Sequence, residues 1–573
     1  MNASNYVIFL GRKNMSFKTT AQLAALLLST ALFTACGNGD AETSTNDPSA
    51  TTSTFDLGRR IEKLASDEFQ GRAPSTAGGQ AASQYIADEM SKAGLAPAGE
   101  NGTYFQAVEL TAMTVLPSSS MTITAGEETL INADQNTCSV CWAIRLHSSV
   151  SVSDAELVFV GYGVNAPEYG WNDYEGLDVK GKTVVMLVND PGFATKDANL
   201  FNGNAMTYYG RWTYKYEEAA RQGAAAVLVI HETEPASYPW EVVSGSWTGE
   251  QYDLVRPDGG ASRSALEGWL HIDAAQKLFD KAGLNMRQLM TAAAQKGFKP
   301  VPMSGLSLDA TINQSVKTTQ SRNVAGVIKG SVRPDEYVLY MAHWDHLGMS
   351  EAVEGDDKIF NGAVDNASGT SVILEIGETM VDRGTPERSV IFVAVTAEES
   401  GLLGSAYYGE KPLVPLAKTV GGINIDALLP IGETKDMKVI GFGSSELEDL
   451  LKKQLNKRGM YVVPDTKPEA GYFYRSDHIS LAKLGVPMLY SDAGNNHVVN
   501  GMTYGEDFEE EYTKLRYHKV ADEYDNSWDL SGIKQVSDIL LDMGYDLANS
   551  EDWPNWYEGT EFRGLRDEML AED

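Results

Sequence analysis

Five short segments each place a side chain able to bind a metal just past an apolar strand or at the start of a helix. They are Ala342-His343-Trp344-Asp345-His346-Leu347-Gly348, Val364-Asp365-Asn366-Ala367-Ser368-Gly369, Thr396-Ala397-Glu398-Glu399-Ser400, Asn424-Ile425-Asp426 and Tyr517-His518. Between them they offer two His, two Asp and a Glu, with a second Glu beside the first. That set can hold two divalent ions and leave one carboxylate free as a base. Two-ion sites of this kind split amide or phosphate bonds with water. Taken singly each residue has a plainer explanation: Asp365 or Asp426 as a helix cap, Glu398-Glu399 as a charged surface. The order and placement of all five together favour a site.

The elements that must position them follow from the hydrophobic pattern. From Asn323 onward, short apolar runs at Tyr337–Ala342, Ser389–Val395, Val420–Ile425 and Pro487–Tyr490 alternate with helical periodicity at Ser368–Val381, Leu402–Tyr408, Leu447–Lys457, Asp477–Leu484 and Ile533–Leu547. Such alternation predicts an α/β sheet covered by helices on both faces. Ligands in these sheets gather beyond the carboxyl ends of the strands. His343, Glu398, Glu399 and Asp426 all fall there, and Asp365 falls just before a helix. Two further amphipathic helices are expected within residues 55–97, separated by the turn-forming loop Phe69-Gln70-Gly71-Arg72-Ala73-Pro74. Between about 120 and 310 the texture changes. Strand-like runs at Leu157–Gly161, Thr183–Val188 and Ala224–Ile230, with a helix at Tyr214–Gln222, suggest a separate small α/β module without a catalytic cluster.

The chain is 573 residues long, too large for one ordinary core, and carries a formal net charge of −33. That acidity argues against nucleic acid as a partner and against a peripheral grip on anionic lipid. Arg12, Lys13 and Lys18 precede the apolar run Leu23–Phe33, which is too short to span a bilayer. The run ends in Phe33-Thr34-Ala35-Cys36-Gly37, which resembles a bacterial lipoprotein signal with cleavage before Cys36 and lipid on its sulfur; an ordinary secretory signal is the alternative. Residues 37–54 lack apolar periodicity and read as a flexible tether. The pair Cys138 and Cys141 is a disulfide candidate in an oxidising compartment.

As a set, His-x-Asp, Asp-Asn-x-x-Gly, Glu-Glu, a strand-end Asp and a late Tyr-His resemble the M28 family of co-catalytic zinc peptidases, over about residues 55–115 and 320–550. The resemblance implies a mixed, largely parallel sheet flanked by helices and two Zn2+ ions. Asp365 would bridge both, His343 and Asp426 would complete one site, and Glu399 and His518 the other. Glu398 would be the general base, and Asp345 would hydrogen-bond His343 and fix its tautomer. His346 is expected behind the ligands, His478 near the pocket without binding metal, and His497 on the surface. Val158-Phe159-Val160-Gly161-Tyr162-Gly163 and Val179-Lys180-Gly181-Lys182-Thr183-Val184-Val185 resemble a protease-associated (PA) domain. The expected organisation is a signal peptide at 1–35, a tether at 36–54, catalytic parts at 55–119 and 316–550, an inserted PA-like domain at 120–315, and an acidic tail at 551–573.

The resulting expectation is an extracytoplasmic, lipid-anchored metallopeptidase acting on peptides, most consistent with an aminopeptidase. Arg475 in a pocket loop keeps a carboxypeptidase or dipeptidase open. A glutaminyl-cyclase-like acyltransferase and a non-catalytic binding protein on the same scaffold are further alternatives, each disfavoured by the intact ligand set. The aromatic stretch Tyr208, Tyr209, Trp212, Tyr214 and Tyr216 either packs the core of the inserted module or overhangs the metal site and limits substrate length.

Overall fold

The computed structural model describes residues 47–132, 139–246, 249–351, 353 and 355–572. The signal segment, the lipidation candidate Cys36, residues 37–46 of the tether and Cys138 lie outside the described residues, and with Cys138 lies the disulfide expectation. No helix among the described residues is long and apolar enough to cross a membrane.

The strand Arg333–His343 sits at the centre of the sheet that carries the candidate ligands. It pairs in parallel with Arg388–Val395 on one side and Thr419–Asn424 on the other, and Thr419–Asn424 pairs in parallel with Met488–Ala493. Antiparallel strands close both flanks, Val301–Ile328 against Arg388–Val395 and Asp436–Val439 against Met488–Ala493. The fold is therefore the mixed, largely parallel sheet anticipated from the alternation of elements.

Its strands read as unbroken apolar runs because both faces are covered. Val338, Tyr340 and Ala342 point into one core, with Leu57, Ile61, Ile86, Met90, Ile373, Ile376, Val536 and Leu540 from four helices. Leu339 and Met341, one residue out of phase, point into the other with Ile391, Val393, Tyr408, Ile479 and Leu481. The four helices are Thr54–Leu64, Ala77–Lys92, Gly369–Arg383 and Ser531–Ala548. Burying strands on both sides fixes their register, since a one-residue slip would exchange the two cores.

The inserted region builds its own sheet. Ser149–Phe159, Thr183–Leu187, Ala226–His231 and Leu266–His271 run parallel in that order, between two apolar clusters. One strand of 28 residues, Val301–Ile328, joins it to the central sheet. Its first half pairs with Ser149–Phe159 and its second half with Phe105–Val115. The boundary expected at 315–316 thus falls inside a continuous strand rather than in a linker.

Two expectations about the ends need correction. Residues 47–53, assigned to the tether, are tied to the body: Thr52 is 2% exposed and bonds Asp538 Oδ1 through both its N and its Oγ1 (2.8 Å each), and Ser53 N donates to Glu375 Oε1. Residues 551–572, expected as an acidic tail, are packed against the body. Trp556 is fully buried beside Phe562 and donates from Nε1 to Gly485 O (3.0 Å), and buried Arg566 donates to Thr419 O (2.9 Å). Aromatic side chains, rather than its acidity, decide where this segment lies.

Trp556→Ala should therefore cost about 3–5 kcal/mol, the usual range for emptying a large buried aromatic site. The readout is the shift in urea unfolding midpoint. An unchanged midpoint would contradict the packing described for this segment.

Candidate metal centre

Parallel pairing brings the strand ends to one edge. His343 lies opposite Val395, so Glu398 and Glu399 follow just beyond the strand end. Met341 lies opposite Asn424, which brings His343 level with Asp426 two residues on. The turn that aims the two glutamates contains Ala397, fully buried at φ +55°. At Asp426 the chain is pinned by Asn366, whose Nδ2 donates to Ile425 O (3.0 Å) and whose Oδ1 accepts from Ala427 N (3.1 Å) and Gly369 N (2.8 Å). Gly369 is required by this approach, because a Cβ there would stand 2.3 Å from Asn366 Oδ1 and 2.5 Å from Ile425 O. The Asp-Asn-x-x-Gly pattern is thus one ligand followed by the clamp that sets a second.

The side chains converge as two groups that share Asp365. His343, Asp365 and Asp426 form one, with His343 Nε2 3.2 Å from Asp365 Oδ1 and 3.1 Å from Asp426 Oδ1. Glu399 stands on the far side of Asp365. There His518 Nε2 lies 3.3 Å from Asp365 Oδ2 and 3.2 Å from Glu399 Oε2. His346, Asp365 and Glu399 also form a group whose donor atoms all lie within 4.8 Å of one another. Imidazole nitrogens and carboxylate oxygens in this mixture suit zinc, and the buried Asp345 Oδ2, without a hydrogen-bond partner, fits a centre that expects a cation.

Asp345 departs from its expected contact. Its main-chain carbonyl, not its carboxylate, accepts from His343 Nδ1 (3.1 Å); the carboxylate is 3.9 Å away and instead accepts from Glu398 N (3.1 Å). Asp345 therefore links the His343 turn to the Glu398 turn. His346, expected behind the ligands, is buried with its Nδ1 2.5 Å from Glu399 Oε1. His497, expected on the surface, is 8% exposed, and its Nδ1 accepts from Val499 N and Asn500 N in a tight turn. His478 lies between the rings of Phe473 (4.7 Å) and Tyr490 (5.1 Å), and burial pushes its pKa down to about 3. It stays neutral and apart from the ligand groups.

The site's carboxylates repel one another. Burial pushes Glu398 well above the usual range; His343 opposes this, and Glu399, Asp426 and Asp477 add to it. Burial likewise raises Asp477 to about 7. Asp365 and Glu399 are the exceptions, both lying below the ordinary value. Although burial acts to raise Asp365, hydrogen bonds from His343 and His518 hold it well below the ordinary value.

Several residues of this environment carried no legible signal. Arg72, read as part of a turn, is 1% exposed and donates to Trp344 O (2.8 Å), Leu64 O (2.7 Å), Asn361 O (2.5 Å) and Gly362 O (3.0 Å). Asp522 accepts from Val364 N and Asp365 N (3.1 Å each), fixing the backbone that carries the Asp365 carboxylate, and receives Tyr512 Oη (3.1 Å). Ser476 donates to Asp426 Oδ2 (2.5 Å). The spacing of Ser476 and His478 around Asp477 was visible, but the Ser476 contact reaches across 50 positions and no local pattern announces it.

The aromatic stretch divides. Tyr214 and Tyr216 are buried in the inserted region, where Tyr216 Oη donates to Gly268 O (3.0 Å), so core packing accounts for them. Tyr208 reaches the catalytic side, receiving Lys483 Nζ (2.5 Å) and packing 6.1 Å from Tyr474. Arg211, in the same stretch, is 8% exposed with no partner for its Nε; burial and the neighbouring Arg475 pull its pKa down to about 10. Arg475 lies over Tyr238 (5.2 Å) and Tyr472 (5.5 Å) and donates to Ala236 O (3.2 Å).

Comparison with known proteins points one way. Residues 323–544 match the protein-family model described as Peptidase family M28. The solved aminopeptidase from Aneurinibacillus sp. strain AM-1 has the same fold, with a TM-score of 0.51 at 19% identity, over 88% of this chain and 96% of that one. Aminopeptidase NAALADL1 of Mus musculus is 38% identical over 138 residues, 23% of this chain and 17% of that protein. Probable glutamate carboxypeptidase VP8 of Zea mays is 24% identical over 385 residues, 58% of this chain and 49% of that protein. The chain thus spans at most about half the length of these curated relatives.

Replacing Arg72 by Met should strand four buried carbonyls and remove the guanidinium nearest the acidic cluster. The expected loss is about 3–5 kcal/mol, as for other broken buried charge contacts. Thermal unfolding in the presence and absence of chelator measures it; a stability equal to the parent would remove Arg72 from the account of the site.

Proposed function

Residues 323–544 form a peptidase family M28 domain, and on that premise we propose that the chain is a two-zinc metallopeptidase that removes N-terminal residues from peptides. His343, Asp365 and Asp426 would hold one ion, and Asp365, Glu399 and His518 the other. The observation that carries the reading is the shared carboxylate of Asp365 between two imidazole–carboxylate groups, with Glu398 belonging to neither. When bound, such ions polarise a scissile carbonyl and bring the pKa of bound water to about 7.

The remaining work falls to the chain. Glu398 follows the strand end half-buried, its main-chain N donating to Asp345 Oδ1. Burial and the neighbouring carboxylates raise its affinity for a proton. A carboxylate so placed can accept a proton from the attacking water and return it to the leaving amine. Asp345 and Ser476 orient this apparatus, the first through His343 and Glu398 and the second through Asp426. Tyr517 is stacked on His518 at 3.9 Å, with 41% of its surface exposed.

A second reading has its own support. Arg211 and Arg475 form a cationic pair from two separate segments, and Arg211 Nε lacks a partner. Both act electrostatically on Tyr517, beside His518. Two guanidinium groups near the centre would suit a substrate carboxylate and so favour a carboxypeptidase or dipeptidase. We carry the inserted region as a PA-type module whose Arg211 contributes to that surface. The extracytoplasmic, Cys36-anchored location is likewise a proposal, resting on residues 1–36 and decided by membrane fractionation of the parent protein and Cys36→Ser.

Peptides with a free amino terminus and blocked carboxyl terminus should be hydrolysed, whereas amino-blocked peptides with a free carboxyl should not. The opposite pattern would transfer the assignment to the second reading, and cyclisation of glutaminyl peptides would transfer it to an acyltransferase. On the preferred substrate Glu398→Gln should lower kcat by about 10²–10⁴-fold with metal content unchanged. Loss of an ion in Glu398→Gln, and not in Glu399→Gln, would reverse the two assignments.

A further inference from the structure

We propose that Asp492 selects substrates whose amino-terminal residue has a cationic side chain, lysine or arginine, by receiving that side chain beside the metal centre. The proposal rests on the aminopeptidase reading above and names the class of substrate it would act on.

Sheet register brings Asp492 to the centre. Asn424 pairs in parallel with Tyr490, so Asp426 and Asp492, each two residues on, come level at the carboxyl edge of the sheet, one strand apart. Adjacent strands lie about 4.8 Å from one another. Side chains alternate across a strand. Leu489 and Ala493 enter the core under the helices, whereas Tyr490 and Asp492 share the other face and are half-buried. Tyr490 packs against His478 (5.1 Å). Burial raises Tyr490 well above its ordinary pKa, and Asp426, Asp492 and Glu398 add to this. The face that carries Tyr490 and Asp492 is therefore within electrostatic reach of both a ligand and the base.

Asp492 also keeps a carboxylate oxygen to spare. On its other side it lies directly opposite Lys438 in the antiparallel pair. Opposite charges in that position ordinarily close on one another. Lys438 Nζ instead donates to Glu509 Oε2 (2.6 Å). Asp492 Oδ1 accepts from Ala493 N (2.7 Å), and among the described residues no hydrogen bond reaches Oδ2. Asp492, Glu509 and Asp465 all act on the ammonium of Lys438. Burial raises Asp492 to about 7; Lys438 opposes this, and Glu509 and Asp426 add to it. A cation arriving with the substrate would supply the charge that this wall lacks.

The surroundings of the centre have two poles, and these orient the substrate. Arg211 and Arg475 act on Tyr517 beside His518, which disfavours a free ammonium at that end. Asp492 and Glu509 lie at the Asp426 end. Tyr472 senses both: burial raises its pKa, Arg475 lowers it and Glu509 raises it. A peptide therefore binds with its amino end toward Asp426. Its α-ammonium is joined to the scissile carbonyl through a single carbon, so it stays with the groups that hold the ions. A lysine side chain carries its ammonium on a flexible four-carbon stem, which can cross the further strand to Asp492. The ring of Tyr490, on the same face, suits the apolar stem.

The test measures kcat/KM of the zinc-loaded protein on carboxyl-amidated Lys-Ala, Arg-Ala, Leu-Ala, Nε-acetyl-Lys-Ala and Ala-Lys. The parent should favour Lys-Ala over Nε-acetyl-Lys-Ala by about 10–100-fold, the effect of one hydrogen-bonded charge pair. Asp492→Asn should lower the ratio of Lys-Ala to Leu-Ala by a similar factor, chiefly through KM, with zinc content as in the parent. A parent that cleaves Lys-Ala and Nε-acetyl-Lys-Ala equally well overturns the proposal, and that comparison needs no variant to fold. Equal losses on Lys-Ala and Leu-Ala in Asp492→Asn would give Asp492 to the α-ammonium and overturn it as well. So would a preference for lysine confined to the second position, as in Ala-Lys. A parent that leaves all five intact while cleaving amino-blocked peptides would bring down the aminopeptidase reading itself, and the proposal with it.

Discussion

Asp345, Asp365, Glu398, Glu399, Asp426, Asp477 and Asp522 are brought together at one end of a sheet whose faces are both buried. Two like charges about 4 Å apart repel by about 4 kcal/mol at an effective dielectric of about 20, and burial weakens the screening that would relieve them. Asp365 remains well below its ordinary pKa through His343, His518 and the nearby His346, while Glu398 and Asp477 are driven up. The nearby protein cations are few, chiefly the buried Arg72 and the imidazoles. A fold that spends stability on such a cluster calls for positive charge from outside, and divalent ions supply it most economically.

The scaffold around the cluster answers that demand with contacts aimed at the main chain. Arg72 gathers carbonyls from three segments, Asp522 holds two amides at the bridging carboxylate, and Asn366 ties the start of one helix to the turn of Asp426. These groups fix where the ligands point before any ion arrives, which is the condition for a site that binds tightly and repeatedly. The inserted region meets this side of the molecule through Tyr208, which receives Lys483, and through Arg211 beside Arg475.

The parts legible in the sequence were those with a local signature. Val338–Ala342, Val390–Val395 and Val420–Ile423 are apolar runs that end where His343, the Glu398 turn and the Asp426 turn begin, so strand and ligand declare each other. The helix Leu447–Lys457 was bounded by its own periodicity. Other features depend on distant partners. Val301–Ile328 alternates between buried and exposed positions and changes partners along its length, so it shows no single pattern. Arg72 looked like a turn residue because its role lies in carbonyls up to 290 positions away. Trp556 lay in an acidic stretch whose charge masked the buried indole.

The central claim is that Asp365 is the shared carboxylate of two adjacent divalent-ion sites. Anomalous diffraction from crystals grown with zinc, recorded on either side of the zinc absorption edge, tests it most directly. The account predicts two peaks, one beside His343 and Asp426 and one beside Glu399, with Asp365 between them. A single peak, or peaks away from Asp365, would contradict it.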